Sequence, residues 1–186
     1  MTAHFPSGSE QIILKVPGKH NVINALAAAA VAVGLGINKQ TIAAGLARFT
    51  GVKGRLQTKQ GKHNAVLIDD SYNANPASVR AALAVLAQAS GKKYLVLGDM
   101  GELGDGGADF HRMIGREARH AGLSGLLTLG ELSAHATTEY GEGARHFESM
   151  QALLTAVESL LAPDVTILVK GSRFMRMENV IKQFEI

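Results

Sequence analysis

Short apolar runs alternate along the chain with stretches whose apolar residues recur every three or four positions. From residue 65 onward the runs predict strands over 65–68, 94–97, 126–129, 145–147 and 165–169. The periodic stretches predict helices over 76–89, 110–121, 132–140, 150–161 and 173–184. Apolar runs are typical of strands covered on both faces, and this alternation indicates βαβ units. The sequence therefore predicts an open, mainly parallel α/β sheet with right-handed crossovers.

The first 57 residues have a different pattern. They predict one strand over 11–16 and two helices over 21–34 and 39–48. So few elements make a poor independent core. Polar residues and glycines collect over 58–64, so we place a boundary there. The prediction is a small, mostly helical portion over 1–57 followed by an α/β domain over 58–186.

Composition narrows the class of protein. The chain is 46% hydrophobic and 19% charged, as globular proteins are, and its net charge of +3 is too small to indicate a nucleic-acid partner. It has no cysteine, which excludes disulfides and thiol chemistry. Its most apolar stretch, 25–35, is too short to span a bilayer, and residues 1–10 do not resemble a signal peptide. We therefore expect a cytoplasmic protein.

The stretch DDSYNANP follows the first predicted strand of the α/β domain. Pro76 suits the first turn of a helix, and Asn75 before it can cap the helix. The residues between lie at the carboxyl end of a strand, where open α/β sheets bind ligands. A decorated helix cap is the alternative, because Asp and Asn are common in turns. The adjacent acids Asp69 and Asp70 favour binding, since like charges repel unless a ligand or cation compensates.

Two further predicted strands end in polar residues. Asp99 and Glu102 follow one of them, with His111 a loop later, and Lys170, Ser172 and Arg173 follow the other. A cation and a hydroxyl at a helix start favour an anion site, although a solvated basic helix start is an alternative. Because these strand ends share one edge of the predicted sheet, we expect a site for a zwitterionic or peptide-like ligand beside a nucleotide.

The helix over 21–34 and the segment GRLQ add candidate nucleotide contacts. Asn21 and Asn24 share one helix face, and an amide can pair with the donor and acceptor edges of a heterocycle. Capping is an equal alternative for Asn21, whereas Asn24 lies too far inside the helix to cap it. Arg55 can clamp a phosphate or pair with a carboxylate between the two domains.

The motifs PGKHNVINALAAAA, GRLQ, DDSYNANPASVRAAL, LGDMGELG and VKGSRFMRME resemble, in this order, signatures of the Mur ligase family. The resemblance implies that residues 1–57 are the C-terminal portion of a central ATP-binding domain and that 58–186 form a Rossmann-like C-terminal domain. It also implies ATP-dependent amide-bond formation through an acyl phosphate in bacterial peptidoglycan synthesis. DDSYNANP together with LGDMGELG resembles the members that add D-alanyl-D-alanine to UDP-N-acetylmuramoyl-tripeptide.

The resemblance also implies roles for individual residues. Contacts to ATP are implied for Asn24 at adenine, His20 and Asn21 beside it, Arg55 near the phosphates and Asp70 at the ribose. Contacts around the dipeptide are implied for Tyr72, Asn73, Asn75, Lys170 and Ser172. Further candidates for substrate contacts, from their place at the same predicted edge, are Asp99, Glu102, His111 and Arg173. No metal ligand is predicted in the chain.

The sequence departs from the family in one respect. A GKT-type phosphate loop, the magnesium-binding acid and the modified lysine of the central domain are absent, as is the UDP-binding domain. We therefore expect a fragment that is inactive alone, with ATP and Mg²⁺ serving only the full-length enzyme. In such a fragment, the apolar faces that carry Val22, Leu26 and Ile42 would lack the sheet that covers them. This gives a reason to expect self-association.

Two alternatives remain open at this point. One is another amide ligase of the same superfamily, resembling folylpolyglutamate synthase. The other is a non-catalytic ligand-binding module.

Overall fold

The computed structural model describes residues 1–16 and 18–186, and for His20 the backbone alone. It divides into two compact units, Met1–Val52 and Lys53–Ile186. The division falls before the predicted boundary at 57/58, and the segment 53–57 belongs to the second unit. That the units are parts of two domains of a longer enzyme remains a prediction.

The first unit contains a hairpin and two helices. Strands β1 (Thr2–Phe5) and β2 (Gly8–Gln11) pair antiparallel, and helices α1 (Lys19–Gly34) and α2 (Lys39–Arg48) follow. The predicted strand over 11–16 is wrong, because only Gln11 of that range is in a strand. The apolar residues of that range follow the hairpin, whose strands are short and contain no apolar run. Helix α2 has its predicted bounds, and Asn38 caps it by accepting from Thr41 N–H.

The second unit is an α/β sheet flanked by helices. Its strands are β3 (Gln57–Gln60), β4 (Val66–Asp70), β5 (Lys92–Gly98), β6 (Gly125–Leu129), β7 (Ala144–Phe147) and β8 (Val165–Lys170). Its helices are α3 (Pro76–Ala87), α4 (Gly107–His120), α5 (Ala134–Tyr140), α6 (Met150–Glu158) and α7 (Glu178–Phe184). The strand order is β3-β4-β8-β5-β6-β7, and only β3 is antiparallel to its neighbour. This confirms the predicted mainly parallel, Rossmann-like sheet.

Some boundaries differ from the predictions for local reasons. Strand β3 was not predicted, because its sequence QTKQ is polar and it occupies an edge of the sheet. Helix α7 begins at Glu178 rather than at 173. The intervening residues form a 3₁₀ turn over Arg173–Met175, and Arg176 has a left-handed φ of 52°, which interrupts the helix.

The sheet has an apolar core on each face. Helices α3, α4 and α5 cover the face that carries Ile68, Leu95 and Leu126. Helices α6 and α7 cover the opposite face, which carries Leu67 and Val96. Alternate residues of one strand therefore enter different cores, as strand geometry requires. No helix in the described part of the chain is long and apolar enough to cross a membrane.

This arrangement determines where ligand-binding crevices form at the edge of the sheet. The chain leaves β4, β5 and β6 toward the face of α3 to α5, and it leaves β7 and β8 toward the opposite face. A crevice forms at the carboxyl ends of adjacent strands whose connections diverge in this way. We call the crevice around β4, β8 and β5 the first crevice, and that between β6 and β7 the second crevice.

Candidate functional site

A buried ion pair lies at the base of the first crevice. Lys170 ends β8 and Asp70 ends β4, and the parallel register of the two strands places these residues opposite each other. Lys170 Nζ lies 2.5 Å from Asp70 Oδ2 and donates to the carbonyl oxygen of Asn73 at 2.8 Å. Asp70 Oδ1 accepts from Leu56 N–H at 3.2 Å. The ion pair therefore joins two strand ends to the loop that follows β4.

Burial acts on both members of this pair. Lys170 is 2% exposed and Asp70 is 6% exposed. Desolvation raises the pKa of Asp70 and lowers the pKa of Lys170, and the attraction between the two groups opposes both shifts. Removing one partner would leave the other buried without a counter-charge, which is the costly case for buried ions.

Asp69 turns to the other side of β4. Its Oδ1 accepts from the backbone N–H of Ser71 at 3.2 Å and from the Ser71 hydroxyl at 2.6 Å. Its Oδ2 lies 3.6 Å from Lys59 Nζ. The adjacent acids thus avoid each other, because successive side chains of a strand point to opposite faces, and each acid has its own compensating cation.

The loop between β4 and α3 presents polar groups to solvent. Tyr72 is 47% exposed, and the Arg55 guanidinium carbon lies 4.5 Å from the centre of its ring. Asn73 Oδ1 accepts from Ala74 N–H at 2.9 Å. Within the described residues, the Tyr72 hydroxyl and the Asn73 side-chain NH₂ have no hydrogen-bond partner, so both are free for a ligand.

Asn75 has the capping role that the sequence predicts. Its Oδ1 accepts from Ser78 N–H at 2.8 Å, and the Ser78 hydroxyl accepts from Asn75 N–H at 3.0 Å. This capping box with Pro76 at the helix start fixes where α3 begins. The residue is exposed, so its NH₂ group remains accessible.

Ser172 connects three loops. Its hydroxyl accepts from Gly101 N–H at 2.7 Å and donates to the Ala74 carbonyl at 3.2 Å. Its own N–H donates to the Asp99 carbonyl at 2.9 Å. The residue is 4% exposed. In this structure Ser172 holds the loops that follow β4, β5 and β8 together.

Asp99 and His111 are likewise bonded within the chain. The Asp99 carboxylate accepts from Ser133 N–H at 2.7 Å and from Leu132 N–H at 3.2 Å. His111 is fully buried; its Nε2 accepts from Met100 N–H at 2.9 Å, and its Nδ1 lies 2.7 Å from the Gly107 carbonyl. That carbonyl is an acceptor only, so Nδ1 carries the proton. Burial lowers the pKa of His111, which keeps the ring neutral.

The remaining predicted residues lie at the surface. Glu102 is exposed with a left-handed φ of 59°, and Arg173 Nη1 pairs with Glu178 Oε1 at 3.0 Å. In the first unit, Asn24 Nδ2 donates to Asn21 Oδ1 at 3.5 Å near the start of α1. The side chain of His20, which was predicted beside the adenine, lies outside the described residues.

Sequence reasoning missed two features of this sheet edge. Phe174 is 64% exposed, and a Cβ on Gly101 would lie 2.8 Å from its ring, so the glycine makes room for an aromatic residue above the first crevice. The second crevice holds a cavity of about 610 Å³. Its lining includes His146 and Met175, which the sequence analysis did not single out. The rule that polar residues after strand ends mark ligand sites would have found Glu131 and Glu148.

Comparison with known proteins gives consistent matches. Residues 54–173 match the Mur ligase, glutamate ligase domain. Over 186 residues the chain is 43% identical to the UDP-N-acetylmuramoyl-tripeptide–D-alanyl-D-alanine ligase of Escherichia coli, covering 99% of this chain and 41% of that protein. It therefore spans about two fifths of the length of this relative.

Solved structures share the fold. A crystal structure of MurF from Acinetobacter baumannii has a TM-score of 0.91 and 37% identity, covering 98% of this chain and 41% of that chain. MurF ligase from Thermotoga maritima in complex with ADP has a TM-score of 0.84 and 22% identity, covering 97% of this chain and 42% of that chain. At this lower identity the second match supports the fold alone.

Proposed function

Because the chain belongs to the Mur ligase family, we propose that it is the amine-binding part of an ATP-dependent ligase that joins D-alanyl-D-alanine to UDP-N-acetylmuramoyl-tripeptide. The observation that carries this proposal is the 43% identity, over 99% of the chain, to the Escherichia coli ligase of that name. It favours this activity over the folylpolyglutamate synthase-like alternative.

The proposed reaction has two steps. A carboxylate oxygen of the tripeptide attacks the terminal phosphorus of ATP, which forms an acyl phosphate and releases ADP. The amine nitrogen of the dipeptide then attacks the acyl carbon; the carbon–oxygen bond breaks, inorganic phosphate leaves, and the nitrogen loses a proton. The part assigned to this chain is to hold the dipeptide so that its amine reaches the acyl phosphate.

The first crevice suits a dipeptide in its chemistry. The free NH₂ of Asn73 can donate to a carboxylate or peptide carbonyl, and the Arg173 guanidinium supplies a positive charge beside the same edge. The buried groups act differently in this proposal. Lys170 and Ser172 fix the loop that bears Tyr72 and Asn73, since both are already bonded to its carbonyl groups.

We also propose nucleotide contacts in each unit. ATP and Mg²⁺ would serve the complete enzyme, in keeping with the ATP-dependent activity proposed above. In the second unit Arg55 is exposed and available to a phosphate, and Asp70 would accept from a ribose hydroxyl through an oxygen lone pair not used by Leu56 or Lys170. In the first unit, Asn24 is exposed on α1 and would address the adenine.

A chimaera tests the proposed activity. This chain replaces the matching segment of the Escherichia coli ligase, and product formation is measured with D-alanyl-D-alanine, L-alanyl-L-alanine and L-glutamate as amine substrates. We expect amide formation with D-alanyl-D-alanine alone, at a rate within about tenfold of the parent enzyme.

The parent ligase is the positive control, and the 186-residue chain alone is the negative control, for which we expect no ATP turnover. A folded chimaera that ignores D-alanyl-D-alanine would contradict the proposal. Selective use of L-glutamate would favour the folylpolyglutamate synthase-like alternative, and dipeptide binding without turnover would favour a binding module.

A further inference from the structure

The second crevice is separate from the residues to which the ligase proposal gives a role. The chain leaves β6 through α5 on one face of the sheet and leaves β7 through α6 on the other. This divergence is the topological feature that creates ligand sites in open α/β sheets. The cavity at this point, about 610 Å³, lies within the usual size range of small-molecule sites.

One side of this cavity is apolar. Leu129 ends β6, Phe147 ends β7, and the flexible side chains of Met150 and Met175 complete the wall. Leu129 and Phe147 are 7% and 9% exposed, so the wall continues from the sheet core. Methionine side chains adapt to ligands of irregular shape. This wall suits an alkyl chain rather than a fully polar ligand.

Two carboxylates lie on the polar side. Glu131 follows β6 and Glu148 follows β7, and both line the cavity and are exposed. Neither has a hydrogen-bond or ion-pair partner among the residues that the structure describes. His146 also lines the cavity, but its Nδ1 is 2.8 Å from the Thr128 hydroxyl. The unpaired charge facing the cavity is therefore negative.

Two positive features lie near the cavity, and each has a contact within the chain. The Arg145 guanidinium carbon lies 5.1 Å from the centre of the Phe147 ring. At the start of α6, the Ser149 hydroxyl accepts from Ala152 N–H at 3.3 Å and so caps that helix. These groups make an anionic ligand the competing possibility, which the experiment has to separate from a cationic one.

We propose that the second crevice is a second ligand site, which takes an alkylammonium group: the aliphatic chain lies against Met150 and Met175, and the ammonium lies between Glu131 and Glu148. An alkylammonium group can come from two sources, the side chain of a diamino acid within a peptide and a free aliphatic amine. The inference does not depend on the ligase activity.

Methionine methyl groups give a direct test. The complete chain is labelled with ¹³C at the methyl groups of its six methionines. It is titrated with Nα-acetyl-lysine methylamide, which mimics a residue within a peptide, and with pentylamine, which is a free amine. We expect chemical-shift changes at Met150 and Met175 and none at Met100, which is fully buried among the other core residues.

The relative affinity of the two probes identifies the source of the ligand. Tighter binding of the lysine derivative assigns the site to a peptide side chain, and equal or tighter binding of pentylamine assigns it to free amines. Substituting Glu131→Gln and Glu148→Gln together should weaken binding by roughly fivefold or more, because two charge-assisted contacts are lost at an exposed site. Glu142→Gln is the matched control, since Glu142 is exposed and does not line the cavity.

Neutral and anionic probes test whether the cavity requires a positively charged ligand. Nα,Nε-diacetyl-lysine methylamide and hexanoate have similar chains without the ammonium group, and we expect neither to shift Met150 or Met175. The proposal is overturned if hexanoate or the diacetyl derivative binds as well as the amines. It is also overturned if the amines leave both methyl groups unshifted, or if their binding survives the double substitution.

Discussion

The two units bury their apolar residues very differently. The second unit has extensive cores of large side chains on both faces of its sheet. In the first unit, the buried hydrophobic residues described are Ala3, Ile12, Ala25, Ala29 and Ile42, mostly alanines. Eight of the twelve large hydrophobic residues described as exposed lie within its 52 residues.

This contrast in burial indicates which unit can support a binding site by itself. Burial of large apolar side chains dominates folding free energy, so the second unit has the means to hold buried charges in a fixed geometry. The first unit has little apolar burial. On α1, Ile23 is 60% exposed and Leu26 is 47% exposed, and the exposure of Leu26 was expected. Ile42 was also expected to be exposed, but it is only 5% exposed.

The largest expected effect concerns the ion pair that the second unit buries. Lys170→Met should lower the free energy of unfolding of this unit by about 3–5 kcal/mol, because Asp70 would remain buried without its partner. Urea unfolding measures the loss. Lys182→Met on the exposed side of α7 is the control, and the double variant Lys170→Met/Asp70→Leu should recover much of the loss. A loss below about 1 kcal/mol would remove the pair from this account.

Hydrogen exchange should separate the two units directly. We expect amides of α1 and α2 to exchange at least about a hundredfold faster than those of β5 and β8, because local opening of the first unit exposes little additional apolar surface. Mass spectrometry of peptides from each unit measures the ratio. Equal protection in the two units would show that the burial contrast has no energetic consequence.

His111 gives the second unit a predictable dependence on pH. Because its pKa is lowered in the folded state, the unfolded chain binds a proton first, and stability falls as the pH falls below about 6.5. His111→Leu should flatten this part of the profile and cost about 1–3 kcal/mol at neutral pH, since Met100 N–H loses its buried acceptor. Thermal unfolding at several pH values measures both effects. An unchanged pH slope in the variant would contradict the assignment.

The smallest effect is expected on the exposed face of α1. We predict that the chain self-associates through this face, and that Leu26→Lys shifts sedimentation velocity profiles toward the monomer. Stability should change by less than about 0.5 kcal/mol, because the site is largely exposed. Ala27→Lys is the matched control, since Ala27 is exposed on the same helix. If both variants self-associate to the same extent as the parent chain, this surface is not the one through which the chain associates.

The sequence predicted the α/β sheet well because buried parallel strands have continuous apolar runs. Strand β5 was recognised from Tyr94–Leu97, although it begins at Lys92. Strands without an apolar run were missed. The hairpin of β1 and β2 and the edge strand β3 have no apolar run, so local pattern gave no signal.

The candidate site was likewise predicted only in part from the sequence. Strand ends correctly indicated where polar groups gather, and the separate environments of Asp69 and Asp70 follow from strand alternation. Sequence could not tell groups that face solvent from groups already bonded within the chain. Ser172 and His111 were predicted beside the ligand, yet both are bonded to backbone groups of the chain. The partners of Ser172, Gly101 and Ala74, are distant in sequence, and those of His111 are Met100 in the preceding loop and Gly107 in its own helix. Those pairings depend on tertiary packing.

The most direct test of the central claim compares two exposed residues in the chimaeric ligase. Arg55→Gln removes the proposed phosphate contact, and Asn73→Ala removes the proposed dipeptide contact without touching the buried ion pair. Losing a charge-assisted contact typically reduces affinity roughly ten- to hundredfold. We expect Arg55→Gln to raise KM mainly for ATP and Asn73→Ala to raise KM mainly for D-alanyl-D-alanine. If both variants lower only the melting temperature and leave both KM values unchanged, the edge formed by β4, β8 and β5 is structural and the account is wrong.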